Sequence, residues 1–168
     1  FLVDLSGSTS RQVEQGRRII DIEKQGLVLL CEALTAIGDQ FAVYGYSGQG
    51  RHQVDFVVVK DFDDLVTGRA GAKLGGMVPL QQNRDGAAIR HATTKLLARQ
   101  AKTRLLVMIS DGRPLDDGYK DDYSLEDTRM ALREARASGI EPVCITIDKQ
   151  ADPYVRRMYG DVRYVVID

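Results

Sequence analysis

The sequence contains no long hydrophobic run, no concentration of basic residues and only two cysteines, and each shortage closes a class of function. Its apolar stretches fall far short of the ~20 residues that cross a bilayer, so no membrane span is predicted. Lys and Arg (23) balance Asp and Glu (24) to a formal net charge of −1, and no basic stripe marks a nucleic-acid partner. Cys31 and Cys144 each sit in an apolar run and read as buried free thiols, which suits a reducing cytoplasm. Gly48-Gln49-Gly50 has no third glycine and reads as a turn between antiparallel strands, not a nucleotide loop. Repeats, low-complexity tracts and a signal peptide are absent from the pattern. The chain starts inside a strand-like run with no initiator Met, so residues 1–168 are expected to form a single domain, the carboxyl-terminal part of a longer protein.

What is present is an alternation of strands and helices. At 168 residues, 43% apolar and 28% charged, the chain has the makings of one globular domain burying roughly 70% of its unfolded surface. Strands are expected over residues 1–5, 41–46, 54–59, 105–109, 141–147 and 162–167. The second and third of these form a hairpin through Ser47-Gly48-Gln49-Gly50. A long helix is predicted over 11–37, on the spacing of Ile20, Leu27, Leu30, Cys31 and Leu34, with Gly38 as its stop. Residues 61–76 read as a short helix plus a glycine-rich loop, and 86–101 as a helix with Ala88, Ile89, Ala92, Leu96 and Leu97 on one face. A further helix follows Ser124, a candidate cap answered by Asp127, and a short one lies near Pro153. The most hydrophobic strand, Leu105 to Ile109, belongs at the centre. This order predicts an α/β fold: a doubly wound, mostly parallel sheet with one antiparallel edge strand and helices on both faces.

Two strand ends carry the chemistry. Phe1-Leu2-Val3 meets Asp4-Leu5-Ser6-Gly7-Ser8, and Leu105 to Ile109 meets Ser110-Asp111-Gly112. In open α/β sheets the functional crevice lies at the carboxyl ends of strands, where the winding reverses. If the two strands are neighbours, Asp4 and Asp111 meet there, with Ser6 and Ser8 beside them. Hard oxygen ligands of this kind suit Mg²⁺ or Mn²⁺. Two aspartates roughly cancel a divalent charge, the serines add dipoles, and one vertex stays open to water or to a partner's carboxylate. The bland alternative is a helix cap followed by a common Ser-Gly-Ser turn.

Asp-x-Ser-x-Ser after a buried strand resembles the metal-ion-dependent adhesion site of the von Willebrand factor A domain family, and strand order, length and the Ser110-Asp111-Gly112 turn extend that resemblance over nearly the whole chain. It implies a metal site of Asp4, Ser6 and Ser8 in the first loop and Asp111 in the third. The family's second-loop threonine falls, by spacing from Ile89, on Asn83. An amide oxygen can also ligate a hard cation, and Asp85 nearby competes with it. Asp85 and Gly112 are accordingly candidates for a supporting role at the ion. The acidic stretch 116–122 does not have the oxygen spacing of a hand-type calcium loop and reads as a solvated loop bordering Asp111. Arg113, Asp116 and Asp117 are expected at the partner-binding rim.

Gly86-Ala87-Ala88-Ile89-Arg90-His91-Ala92, Lys60-Asp61-Phe62-Asp63, Ser110-Asp111-Gly112-Arg113-Pro114 and Asp152-Pro153-Tyr154-Val155 are similar to a bacterial branch of the family. That branch comprises nitric oxide reductase activation proteins and Rubisco-activase adaptors. The resemblance implies an adaptor whose metal face grips an acidic side chain of a client enzyme while an AAA+ ATPase partner supplies the work. No catalysis by the domain itself is expected. Rival readings are a passive adhesion or scaffold module and a metal-dependent hydrolase. An aspartyl phosphatase would want a second aspartate where Ser6 stands. A Ser-His-Asp hydrolase would need His91, which reads as a surface or helix-packing residue.

Overall fold

The computed structural model describes residues 1–13, 16–65, 68–147 and 152–167, with backbone alone at 68–69 and 152–153. Six strands form one sheet: β1 (Leu2–Asp4), β2 (Val43–Gly48), β3 (Val54–Lys60), β4 (Leu105–Ser110), β5 (Glu141–Thr146) and β6 (Arg163–Val166). Their order is β3-β2-β1-β4-β5-β6, parallel throughout except that β3 pairs antiparallel with β2 at one edge. β1 and β4 are therefore the central neighbours, with Leu2 opposite Met108 and Val3 opposite Ile109. From β1 the chain winds outward one way and from β4 the other, which makes the gap between their carboxyl ends the switch point of the sheet.

Helices cover both faces. α3 (Asp85–Leu97), α4 (Asp121–Ala137) and α5 (Asp152–Tyr159) share one core with the sheet, built on Leu2, Tyr44, Tyr46, Ile89, Met108, Leu132, Cys144, Val155 and Met158. α1 (Ile19–Ile37) and α2 (Gly68–Gly75) lie over the other, where Ile20, Leu27 and Leu74 pack on Val3, Leu5, Val43, Val59 and Ile109. Two glycines permit close approaches: a Cβ on Gly45 would stand 2.4 Å from Leu5 Cδ1, and one on Gly86 would stand 2.0 Å from Asp127 Oδ2.

The long helix is shorter than its periodicity suggested. α1 begins at Ile19, and residues 11–13 and 16–18 instead form a small loop closed by a Gln12–Arg18 bridge and a bond from Val13 N–H to Arg17 O at 2.8 Å. Gly16 has φ +72°, a left-handed conformation that helix continuation forbids. Residues 14–15 of the expected helix, 66–67 of the expected helix-and-loop segment and residue 168 lie outside the described residues. Gly38 does end α1, at φ 80°, where its N–H and that of Asp39 take up the Thr35 and Leu34 carbonyls.

Ser124 is not a helix cap. α4 starts three residues earlier at Asp121, which takes φ +53°, and the Ser124 hydroxyl donates to the Asp121 carbonyl at 3.1 Å. Asp127 is occupied by Arg90 and by the Tyr119 hydroxyl instead. His91 packs edge-on against Phe56, with ring centroids 4.5 Å apart, as a helix-packing residue does.

Candidate metal centre

Three loops meet at the carboxyl ends of β1 and β4. The first runs from Asp4 through a tight turn, Gly7–Ser10. Asp4 is fully buried, and its Oδ1 accepts the Ser6 N–H at 2.7 Å, the local bond that turns the chain back over the strand end. Ser6 Oγ and Ser8 Oγ are 2.9 Å apart, and Ser8 Oγ donates to Asp111 Oδ1 at 2.9 Å. Four of the sequence-predicted ligand residues thus converge: Asp4, Ser6, Ser8 and Asp111. Thr9, which sequence reasoning did not single out, locks the turn by donating to the Ser6 carbonyl at 2.7 Å.

The second loop is strapped across the first by Leu80 N–H to Leu5 O and Gly7 N–H to Gln81 O, both 2.6 Å. It presents Asn83, but with the amide the wrong way round for a ligand. The side-chain NH₂ donates to Asp4 Oδ2 at 2.7 Å and to Asp85 Oδ1 at 3.3 Å. The amide oxygen, the only atom able to bind a cation, accepts the Leu115 N–H at 2.9 Å. Asn83 holds the second and third loops together here, and ligation would require its amide to turn and release Leu115.

Asp85 opens α3 and is fully buried. Its Oδ1 accepts the Tyr46 hydroxyl at 2.9 Å, while no donor reaches its Oδ2. Gly112 N–H donates to Ser110 Oγ at 3.3 Å, and that hydroxyl lies 3.3 Å from Asp4 Oδ2, so Gly112 touches the centre through Ser110.

The rim differs from expectation at one residue. Arg113 is exposed, its guanidinium 4.6 Å above the Tyr154 ring, and Asp117 is exposed. Asp116, expected in a solvated loop, is buried. It pairs with Arg84 Nε and accepts the Gly50 N–H at 2.7 Å, because it joins the third loop to the second and to the β2–β3 turn. The Gly50, Asp117 and Arg84 donors around it hold its carboxyl below the usual range despite burial.

The centre itself behaves in the opposite way. Burial, then the charge of Asp111, pushes Asp4 up to about 7. Asp85 is raised well above its ordinary value by burial and then by Asp4. Glu23 of α1 is raised to about 9 by burial, then by Asp4 and Asp111. Sequence reasoning missed Glu23, although it stands three residues after Ile20 and four before Leu27 and so falls on the buried stripe of α1. Four carboxyl groups in one desolvated region repel one another, and a cation relieves all four. These donors fit a hard divalent ion held by Asp4, Ser6, Ser8 and Asp111. Among the described residues no three His, Cys, Asp or Glu side chains stand close enough to hold an ion by themselves, so the serine hydroxyls are essential to such a site.

A doubly wound sheet with an oxygen-rich acidic crevice at its switch point defines the class as an open α/β domain with its candidate site at the strand ends. The von Willebrand factor type A domain model matches residues 1–165, and the chain belongs to that family. Among curated relatives, an uncharacterized Pseudomonas aeruginosa protein is 43% identical over 100% of this chain and 28% of its own length. The protein named NorD is 40% identical in Stutzerimonas stutzeri and 35% in Brucella abortus, over 99% of this chain and 28% and 26% of theirs. The chain therefore spans about a quarter of the length of these relatives. Among solved structures, a PilB minor pilin mutant from Streptococcus sanguinis aligns with TM-score 0.69 at 15% identity, over 99% of this chain and 56% of that one. A von Willebrand factor type A protein from Catenulispora acidiphila aligns with TM-score 0.63 at 14% identity, over 98% of this chain and 36% of that one. At such identities the structures speak for the fold alone. No helix among the described residues is long and apolar enough to cross a membrane.

Proposed function

We propose that this chain is a Mg²⁺-dependent protein-recognition domain, the client-binding part of a longer adaptor that works with an AAA+ ATPase to activate a target enzyme in the cytoplasm. The observation that carries the reading is the convergence of Asp4, Ser6, Ser8 and Asp111 at the switch point, inside an acidic region whose own hydrogen bonds leave it short of positive charge. The NorD-named relatives, with the short motifs shared with nitric oxide reductase activation proteins, support the adaptor half of it.

In this reading Asp4, Ser6, Ser8 and Asp111 hold Mg²⁺, with Mn²⁺ as an alternative of similar hardness. The ion would supply an open coordination vertex for a carboxylate oxygen of the client. Ser8 is exposed while Asp4, Ser6 and Asp111 are buried, so the site opens outward on the Ser8 side. Arg113, packed over Tyr154, and Asp117 are both exposed in the third loop and would set which client surface fits.

Isothermal titration of Mg²⁺ and Mn²⁺ into the chelator-treated chain, with Asp111→Ala as control, tests the metal half. The expected result is saturable binding that the substitution removes. No binding by the unsubstituted chain at millimolar metal would sink it. Pull-down of a client that depends on Mg²⁺ and is lost with Asp4→Ala tests the recognition half.

A further inference from the structure

Glu23 is the one member of the acidic region that the ligand set and the second loop do not account for. It lies in the second turn of α1, 3% exposed, and no hydrogen-bond donor reaches either carboxylate oxygen. Its place in the helix puts it on the same face as Ile20 and Leu27, which pack with Val3, Leu5 and Ile109. Val3 and Leu5 flank Asp4, and Ile109 precedes Ser110-Asp111, so this stripe of α1 lies against the two strand ends that carry the site. Asp4 and Asp111 are also the two charges felt at Glu23. A leucine would serve a purely packing role at such a position, and a buried carboxylate with no donor opposes folding. A cation beside it removes that conflict.

We propose that Glu23 is a further acidic residue of the metal centre, acting on the ion from the α1 side through the ion's coordinated water. The route through water follows from the geometry, since among the described residues no three acidic, histidine or cysteine side chains approach closely enough to ligate one ion directly. Mg²⁺ keeps several of its waters, and those waters need acceptors in a buried site. Glu23 offers two. This role rests on the metal-dependent reading above, and it makes α1 part of the centre rather than only part of the core.

The test compares the unsubstituted chain, Glu23→Gln and Glu23→Leu by Mg²⁺ calorimetry, Mn²⁺ electron paramagnetic resonance and thermal melting without metal. Glu23→Gln should weaken both ions about tenfold, the usual scale for an outer acceptor, and alter the Mn²⁺ spectrum. Glu23→Leu should bind still more weakly yet melt, metal-free, at or above the unsubstituted chain. A packing role alone leaves metal affinity within about twofold in both variants and the Mn²⁺ spectrum unaltered, whatever the melting temperatures. That pattern would overturn the inference and leave the proposed function standing. Should Glu23→Leu not fold, the isosteric Glu23→Gln decides by its affinity. Failure of the unsubstituted chain to bind either ion would overturn both.

Discussion

Asp4 and Asp116 are both buried aspartates at loop junctions, yet the fold treats them in opposite ways. Asp116 receives a guanidinium from Arg84 and a backbone N–H from Gly50, and its acidity is strengthened. Asp4 receives a backbone N–H and an amide but no cation, while Asp111, Asp85 and Glu23 crowd the same region. Where a carboxylate only joins loops, the chain supplies its own positive charge. Where it does not, the proposed Mg²⁺ would complete the balance. The two junctions are linked by Asn83 and Leu115, so the self-neutralised one holds the other in shape.

Breaking the self-neutralised junction should have the largest effect on stability. Arg84→Ala strands a buried Asp116 and should cost about 3–5 kcal/mol, seen as a fall in melting temperature that Mg²⁺ does not repair. Asp4→Ala should do the converse. It removes a repelled carboxyl but also the acceptor of the Ser6 N–H and the Asn83 amide, so the metal-free loss should be about 1–3 kcal/mol, smaller than in Arg84→Ala, while Mg²⁺ affinity falls about a hundredfold or more. Equal loss of stability in the two variants would erase the contrast between the junctions.

Acidity sharpens the same comparison. Glu23, raised from 4.5 to about 9, and Asp4, raised from 3.8 to about 7, both bind protons more tightly folded than unfolded. Their contribution is fully present below about pH 4 and is lost as pH rises toward 7 for Asp4 and 9 for Glu23. Melting of the metal-free chain should therefore drop from pH 5 to pH 8, and saturating Mg²⁺ should flatten that slope. Asp116, shifted the other way, works against the trend only below its ordinary range. The smallest expected effect is at the bridge: Asn83→Thr should hold or raise Mg²⁺ affinity severalfold and Asn83→Leu should lower it, by calorimetry. Identical affinity in all three would exclude residue 83 from the ion.

The central placement of Leu105 to Ile109, the β2–β3 hairpin and the Gly38 stop were legible because each rests on local pattern, although the hairpin turn falls at 49–53 and not at 47–50, since Ser47 and Gly48 pair with Asp55 and Val54. So was the meeting of Asp4 with Asp111, which follows from strand order. Asp116 read as part of a solvated loop, and only its pairing with Arg84, 32 residues away, reveals it as a buried junction. Asn83 could be placed by spacing but not oriented, since its amide direction depends on Leu115 in another loop. Glu23 was readable in principle: the 3.6-residue period assigned position 23 to the core, and a charged residue on a buried stripe was the signal.

The shortness and position of β1 carry a consequence for how the chain folds. The three residues of β1 lie in the middle of the sheet, and Ser8 and Asp111 lie 103 residues apart in the chain. Closing so long a loop comes late in a folding reaction, and strands paired at that separation slow it. A nascent chain has no ion site until residue 111 has been delivered and docked. Mg²⁺ binding would then report completed folding, and added Mg²⁺ should slow unfolding while leaving the refolding rate unchanged.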